Sequence, residues 1–349
     1  MISTRRNDNG YPLSSRTGLP WAPNPLHRIE LACQYHFRKK RSFRPNSIRL
    51  SPVKGDRVKP LTKQDVPLVF LCHNDRRFLP AFFAHHRRMG VTRFICVDDR
   101  STDGSLDYLL AQKDTDLFHS DVRYCEAARG RLWRENLFHL YGYDRWYLNM
   151  DSDEFLVYET LERESVRDFA HRLQRKGIRR FPTAMIDLYP VISLRLATFD
   201  GHDRTMPWEV ATHFDGAGYI LSLDNKGISI RGGVRGRVFG LDVELIKYPL
   251  VFWDRRCSLG VSIHCPLPGI FNFPPAMGCL LHFKIFSDIR QRTQAAVRAN
   301  QHFNGAQVYR QLQSYLDTNG DIRFAHECSL PYTGPQDLVE RGFMLPLAS

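Results

Sequence analysis

Two aspartates one residue apart, Asp151 and Asp153, follow an apolar run that ends at Met150. On an extended chain, residues i and i+2 point to the same side, so the two carboxylates are expected to face one position. Carboxylates this close together favour a cation between them, and hard oxygen ligands suit Mg²⁺ or Mn²⁺, which often bridge to substrate phosphates. The motif predicts a metal site in which Asp153 is the main ligand and Asp151 supports it.

Two further polar clusters follow apolar runs earlier in the chain. Asn74 and Asp75 come after the run 66–72, and Asp98 and Asp99 come after the next one. Acidic side chains at a strand end can accept hydrogen bonds from ribose hydroxyls or from a base N–H group. We therefore predict that one of the two aspartates at 98 and 99 contacts a ligand.

The apolar runs alternate with helical patterns. A helix is predicted to begin at Pro80, whose missing N–H does no harm there, and to end at Gly90. Asp103 is the predicted N-cap of the next helix, and 121–125 is predicted as a third strand. This order predicts an α/β fold with a mostly parallel central sheet flanked by helices and a less regular C-terminal part. Ligands bind at the carboxyl ends of such strands, so the three polar clusters are expected to form one site.

The positive charge of the chain is concentrated at one end. Of 349 residues, 43% are hydrophobic, which is enough to bury a large core. The net charge is +12, and residues 1–60 hold 13 Lys or Arg against 3 Asp or Glu. The densest segment, 36–44, is expected to bind an anionic membrane surface, to bind nucleic acid, or to be a solvated tail. Residues 61–349 are almost neutral, which disfavours a nucleic-acid partner.

Membrane-spanning and secreted classes are not supported by the sequence. No apolar run reaches the roughly 18 residues of a membrane-spanning helix, and the first residues lack the apolar core of a signal peptide. Eight cysteines occur without a Cys-x-x-Cys pair, which indicates reduced thiols. We expect a cytoplasmic protein, peripheral at the cytoplasmic membrane face if the basic segment binds there.

An ordered series of motifs resembles the bacterial branch of the family 2 glycosyltransferases that carries an Asp-x-Asp-Glu-Phe motif. The likeness covers residues 66–305. Its motifs lie at 72–75, 78–91, 97–105, 129–133, 151–156, 232–235, 247–251 and 280–284. Asp75 departs from the pattern, since the family usually has Glu at that position.

The resemblance implies a GT-A type fold and transfer of a sugar from a nucleoside diphosphate donor, with inversion at the anomeric carbon. It also implies His282 as a third metal ligand. The implied donor-binding residues are Asn74, Asp75, Asp98, Asp99, Asp151, Arg235, Arg237 and Lys247. The three cationic residues in this set are candidates to neutralise the diphosphate, and two of them stand in a segment, 231–237, that we predict to be a loop.

Inversion requires a base that deprotonates the acceptor hydroxyl opposite the leaving group. Asp187 is the first choice, because apolar neighbours are expected to bury it and raise its proton affinity. Asp215 and Glu244 stay open as alternatives. Glu154 is expected to orient the metal ligands, and His264 is a candidate to line the site.

We therefore predict a metal-dependent inverting glycosyltransferase, using Mn²⁺ or Mg²⁺, that acts on a glycan or lipid-linked acceptor in bacterial surface polysaccharide synthesis. The alternatives are a nucleotidyltransferase of related fold and a non-catalytic basic binding protein. The predicted divisions are a basic extension at 1–60, a glycosyltransferase domain at 61–305 with a nucleotide-binding half at 61–157 and an acceptor half at 180–285, and a C-terminal helix and tail at 306–349.

Overall fold

The structure of the protein is a computed structural model that describes residues 9–13, 25–42, 48–53, 60–201, 205–224, 227–260, 262–301 and 303–348. The side chains of the basic segment 36–44 lie outside the described residues, so their predicted membrane contact stays a prediction.

The strands of these parts of the chain are β1 (Asn9–Tyr11), β2 (Leu50–Pro52), β3 (Leu68–Cys72), β4 (Phe94–Asp98), β5 (Thr115–Ser120), β6 (Arg145–Asn149), β7 (Glu154–Val157), β8 (Arg180–Asp187), β9 (His213–Asp215), β10 (Tyr219–Asp224), β11 (Gly227–Gly232), β12 (Ile246–Trp253), β13 (Gly278–His282) and β14 (Ser329–Pro331). The helices are α1 (Pro25–Ser42), α2 (Leu79–Arg88), α3 (Ser105–Ala111), α4 (Arg131–Tyr141), α5 (Val166–Arg175), α6 (Gly233–Phe239), α7 (Ile289–Ala299), α8 (Phe303–Thr318) and α9 (Pro335–Glu340).

Nine of these described strands form one large sheet in the order β2-β5-β4-β3-β6-β12-β8-β13-β7. β3 pairs in parallel with β4 and β6, and β4 pairs in parallel with β5. Beyond β6 the sheet becomes mixed, because β12 runs antiparallel to both β6 and β8. β13 is parallel to β8 and antiparallel to β7. The predicted α/β class is confirmed, and the parallel arrangement holds for the half of the sheet between β5 and β6.

This order brings the ends of distant strands to one edge of the sheet. The carboxyl ends of β3, β4, β6, β8 and β13 lie at that edge, together with the amino ends of the antiparallel strands β12 and β7. Asp187 and His282 end two of these strands, and Glu154 begins a third. Lys247 is the second residue of β12. Residues far apart in sequence are thus neighbours at one edge.

Aromatic packing fixes the first helix of the parallel half on the sheet. The rings of Phe82 and Phe83 in α2 lie 5.1 and 6.0 Å from the ring of Phe70 in β3. Pro80 stands in the first turn of α2, as predicted, and Gly90, with φ of 92°, follows the end of the helix. The sequence signals at both ends of this helix are confirmed.

Two predicted elements differ from the structure. The third strand is Thr115–Ser120, and the predicted strand 121–125 forms turns instead. Leu117 and Phe118 are buried in this strand, whereas polar residues of the turn, such as Arg123, reach the site edge. The segment 231–237, predicted as a loop, ends β11 and begins α6. Arg235 and Arg237 of α6 form ion pairs with the buried residues Asp187 and Asp215, which the sequence pattern did not indicate.

Parts of the predicted N-terminal extension pair with strands of the main body. β1 pairs with β10, and the Tyr11 hydroxyl donates a hydrogen bond to the Phe343 carbonyl at 2.7 Å. β2 adds an antiparallel edge strand to the large sheet beside β5. Near the other end of the chain, β14 pairs with β9. The predicted divisions at 60 and 305 are therefore crossed by strand pairing, and they stay predictions as domain boundaries.

Within the described residues, every helix falls short of the combined length and apolar character that crossing a membrane requires.

Replacing Gly278 with alanine tests how tightly the sheet is packed beside its edge strand β7. A Cβ at this position of β13 would lie 2.5 Å from Phe181 Cε1 and 2.6 Å from the Val157 carbonyl oxygen. Because that carbonyl belongs to a paired strand, we expect Gly278→Ala to lower the free energy of unfolding by about 1–3 kcal/mol in urea titrations. The control is Gly320→Ala, where a Cβ meets nothing within 4 Å and a change within about 0.5 kcal/mol is expected. Equal stability of the two variants would contradict the prediction.

Candidate active site

The two aspartates of the motif stand in a turn between β6 and β7. The Glu154 N–H donates a hydrogen bond to the Asp151 carbonyl at 3.2 Å, which closes the turn. Because the chain is not extended here, the expected shared direction of the two carboxylates does not apply. Asp151 contacts Lys247, whereas the Asp153 carboxylate lies 3.7 Å from His282 Nε2. The two carboxylates therefore have different close partners, and their sharing of one ion stays a prediction.

Asp151 is bound by two cationic side chains. Its Oδ2 accepts a hydrogen bond from Lys247 Nζ at 2.8 Å, and its Oδ1 accepts one from Arg134 Nη2. Burial opposes the charged carboxylate, but Lys247 and Arg134 together hold the pKa of Asp151 well below its usual range. Asp151 lies outside the set of three side chains whose ligand atoms come within 4.8 Å of one another in the described chain.

Asp153, Glu154 and His282 form that group. Their ligand atoms lie within 4.8 Å of one another, and all three side chains are buried. Burial works against the charge of Asp153, yet His282 and Lys284 hold its pKa below the usual value. The two carboxylates suit Mn²⁺ or Mg²⁺, and the imidazole favours Mn²⁺, the transition metal of the two. The residues present therefore fit a divalent cation, and the group contains Glu154, which we predicted only to orient the ligands, whereas Asp151 stays a predicted ligand.

Strand register explains why this group forms. His282 of β13 is the direct cross-strand neighbour of Glu154 in β7 on one side and of Asp187 in β8 on the other. His282 Nδ1 lies 2.5 Å from Asp187 Oδ1. A carboxylate bound to one ring nitrogen fixes the orientation of the ring and directs the other nitrogen toward the metal position. Asp187 thus positions His282.

Asp187 does not have the proton affinity that we predicted. Burial favours its neutral form, but Arg235 Nε donates a hydrogen bond to Asp187 Oδ2 at 2.7 Å, and His282 contacts the other oxygen. The two partners lower the pKa of Asp187 well below its usual range. The expectation of a raised proton affinity is wrong, because cationic and N–H partners outweigh the effect of burial.

The other residues considered as bases also have structural partners. Asp215 accepts two hydrogen bonds from Arg237, at 2.8 and 2.9 Å, and a third from the Tyr189 hydroxyl. Arg237 therefore neutralises Asp215, and its contact with a diphosphate stays a prediction. Glu244 accepts hydrogen bonds from the Ser229 hydroxyl and from two backbone N–H groups. His264 Nδ1 lies 2.6 Å from the Ile246 carbonyl, and burial, with Lys247 nearby, lowers the pKa of His264 to about 4.

The polar loops after β3 and β4 are bound to each other. Asn74 Oδ1 accepts a hydrogen bond from the Thr102 N–H at 2.7 Å. Asp103, predicted as the N-cap of α3, stands just before the capping residue Gly104 and accepts a hydrogen bond from the Arg76 N–H. These bonds make one rigid rim from two strand ends, as the sheet topology predicted.

Three aspartates of this rim differ in their surroundings. Asp99 Oδ1 accepts a hydrogen bond from Arg123 Nε at 2.8 Å, and Asp98 Oδ2 accepts one from the Ser101 N–H at 3.1 Å. The other oxygen of Asp98 is buried and has no hydrogen-bond partner among the described residues. Asp75 accepts a hydrogen bond from the Ser152 hydroxyl at 2.7 Å, which connects the rim to the turn between β6 and β7. Burial raises the pKa of Asp75.

Sequence reasoning missed two cationic residues of the site. Arg134 reaches Asp151 and Asn149 from α4, and no sequence signal separates it from a surface arginine of an amphipathic helix. Lys284 stands two residues after His282, and strand alternation offered a signal to place the two together. Among the described residues no carboxylate lies within 4.0 Å of the Lys284 ammonium group, although Asp153 acts on it electrostatically. Lys284 is thus a cation at the site without a close acidic partner in the described chain.

Comparison with known proteins yields only distant structural similarity. No protein-family model matches the sequence, and no curated protein matches it. A UDP-glucose pyrophosphorylase from Acinetobacter baumanii aligns with 72% of this chain and 99% of its own, at 8% identity and a TM-score of 0.30. An inositol-1-phosphate CTP transferase from T. maritima aligns with 80% and 94%, at 10% identity and a TM-score of 0.25. At these scores neither similarity establishes a common fold or activity.

Replacing Lys247 tests the charge compensation of the site. Its ammonium group donates hydrogen bonds to both Asp151 and Glu154, so Lys247→Met leaves a buried carboxylate without its cation. We expect the free energy of unfolding at pH 7 to fall by about 3 kcal/mol in urea titrations. The low pKa of Asp151 stabilises the fold above about pH 4, and this stabilisation is lost as the pH falls through the folded-state pKa.

The deficit of Lys247→Met should therefore shrink as the pH falls below about 4, where the wild-type protein itself loses the stabilisation that Lys247 gives through Asp151. The control is Lys113→Met at an exposed position, where a change within about 0.5 kcal/mol is expected. A deficit that is independent of pH would indicate lost packing rather than lost charge compensation.

Proposed function

We propose that this protein is a metal-dependent inverting glycosyltransferase of GT-A type that transfers a sugar from a nucleoside diphosphate donor to a glycan or lipid-linked acceptor. One observation carries the proposal: the group of Asp153, Glu154 and His282 lies at the sheet edge where the polar loops after β3 and β4 begin. A divalent-cation group beside a polar rim suits a ligand that has a diphosphate at one end and a nucleoside at the other.

Asp153 and His282 would hold the cation, and Glu154 would complete the set. The cation, Mn²⁺ or Mg²⁺, supplies positive charge to the diphosphate as the sugar leaves. Glu154 also accepts a hydrogen bond from Lys247, so Lys247 reduces the negative charge of the ligand set. Asp151, between Lys247 and Arg134, fixes the turn that presents Asp153.

Cationic side chains near the group would bind the diphosphate. Lys284 is the best placed of them, because it acts on Asp153 and has no carboxylate within 4.0 Å in the described chain. Arg235 binds Asp187 through Nε, and its Nη2 is buried without a hydrogen-bond partner among the described residues. A fixed cation that is oriented before the substrate arrives stabilises the developing charge of a leaving group without reorganisation.

The rim formed by the two loops would bind the nucleoside. Asn74, Asp75, Asp98 and Asp99 stay the candidates, and the hydrogen bonds between the loops hold their backbone in place. Asp98 retains one buried carboxylate oxygen that can accept a hydrogen bond from a ligand. The Ser152 hydroxyl joins Asp75 to the turn between β6 and β7, so the nucleoside and the diphosphate would bind to segments that are hydrogen-bonded to each other.

The motif series supports a role in bacterial surface polysaccharide synthesis. The nucleotidyltransferase alternative is less well supported, since such enzymes normally have a Gly-rich basic loop directly after the first strand of the fold. Here the turn after β3 is 73–77 and contains no glycine. We assign Asp187 to the positioning of His282 in place of its predicted role as the base.

Replacing Asp153 tests the metal site. We expect Asp153→Asn to weaken Mn²⁺ binding by more than about 100-fold, measured by electron paramagnetic resonance of the free ion, because a buried charged ligand is lost. The protein should be stabilised in thermal shift assays by one of a panel of UDP-, GDP- and dTDP-sugars with Mn²⁺ but not with EDTA, and Asp153→Asn should lose this effect. Asp107→Asn, an exposed position on α3, is the control. If no nucleotide sugar stabilises the wild-type protein in Mn²⁺, the proposed donor site is wrong.

Replacing Asp187 separates positioning from base catalysis. We expect Asp187→Asn to weaken Mn²⁺ binding by about 10–100-fold, because His282 loses the partner that orients it. Asp215→Asn is a matched control, since Asp215 is equally buried and bound to an arginine but has no contact with His282. Unchanged Mn²⁺ affinity with a lost turnover rate would favour the base role for Asp187 instead.

A further inference from the structure

We propose that helix α1 is a docking helix for an anionic lipid surface, with Leu26 and Ile29 inserted at the level of the headgroups. This inference is independent of the reaction proposed above. It rests on an apolar helix face that is directed away from the protein body and on the strong positive charge of the same helix.

One face of α1 carries large apolar side chains in solvent. Leu26 is 78% exposed and Ile29 is 62% exposed. They are three residues apart and therefore neighbours on the helix surface. Cys33, four residues further on, continues this face and is also exposed. Apolar side chains that recur at this spacing normally face a core, so an exposed face of this kind indicates an apolar surface that it binds.

The opposite face of α1 holds the helix on the protein. Leu31 is buried at 3% exposure, and the His27 ring lies 5.3 Å from the Phe273 ring. The Tyr35 hydroxyl donates a hydrogen bond to the Arg256 carbonyl at 3.0 Å. Because these contacts fix one side of the helix, the face that carries Leu26 and Ile29 is presented outward.

The positive charge of α1 indicates that the surface it binds is anionic. The helix contains five Lys or Arg residues and one acidic residue, Glu30. Basic amphipathic helices lie in the interface of anionic bilayers, where apolar burial and attraction to acidic headgroups add. A second copy of the chain would present an equally basic helix, and like charges oppose such a pairing. The charge therefore favours a lipid surface over self-association.

Vesicle sedimentation with the full chain tests the proposal. The protein is mixed with vesicles of phosphatidylcholine alone or of phosphatidylcholine and phosphatidylglycerol in equal parts, at low and high salt. We expect sedimentation with the anionic vesicles that falls at high salt, and little with the neutral ones. The double variant Leu26→Asn with Ile29→Asn should bind the anionic vesicles about tenfold more weakly, since two apolar side chains no longer insert.

The matched control is Ile192→Asn with Leu196→Asn, a double substitution at residues that are 49% and 73% exposed elsewhere on the protein. It should sediment as the wild-type protein does, and both double variants should keep the wild-type unfolding temperature. The proposal is overturned if the wild-type protein does not bind anionic vesicles, or if both double variants lose binding equally. It is also overturned if the α1 variant binds normally, or if light scattering shows a dimer that only this variant disrupts.

Discussion

The compensation of carboxylates, buried at Glu154 and Asp187 and half-buried at Asp151, by cationic side chains is the interaction on which the site depends. Asp151, Glu154 and Asp187 lie at one sheet edge, and Lys247, Arg134 and Arg235 bind them there. Carboxylates without such partners would make this edge costly to bury. The compensation keeps the turn and the group of Asp153, Glu154 and His282 in place before any ligand arrives.

Features that depend on neighbouring residues were predictable from the sequence, whereas this charge compensation, which joins distant residues, was not. Hydrophobic runs and helix-end signals such as Pro80 and Gly90 act locally, so the α/β class and α2 were predicted correctly. The convergence of three polar clusters also follows from local patterns, because parallel strands share an edge.

The finer parts of the site depend on partners that are distant in sequence. The pKa of Asp187 is set by Arg235 and His282, which are 48 and 95 residues away, and burial alone gave the wrong direction. The proposed metal-binding group includes Glu154 because of strand register, and Asp151 is bound by two cationic side chains instead. Spacing within a motif cannot reveal which carboxylate joins the group and which one pairs with cations, because the pairing of strands determines this.

The antiparallel position of β12 in the middle of the sheet has a consequence for how the chain folds. β12 supplies Lys247 to Asp151, 96 residues earlier, and separates β6 from β8 in the sheet. A nascent chain that ends before β12 would have its acidic turn without its main cation and β6 without a neighbour on one side. Folding of the sheet must therefore wait for contacts of high sequence separation, which are slow to form. The residues up to Val157 are for this reason one part of a larger folding unit, and the acidic turn acquires its charge balance late in synthesis.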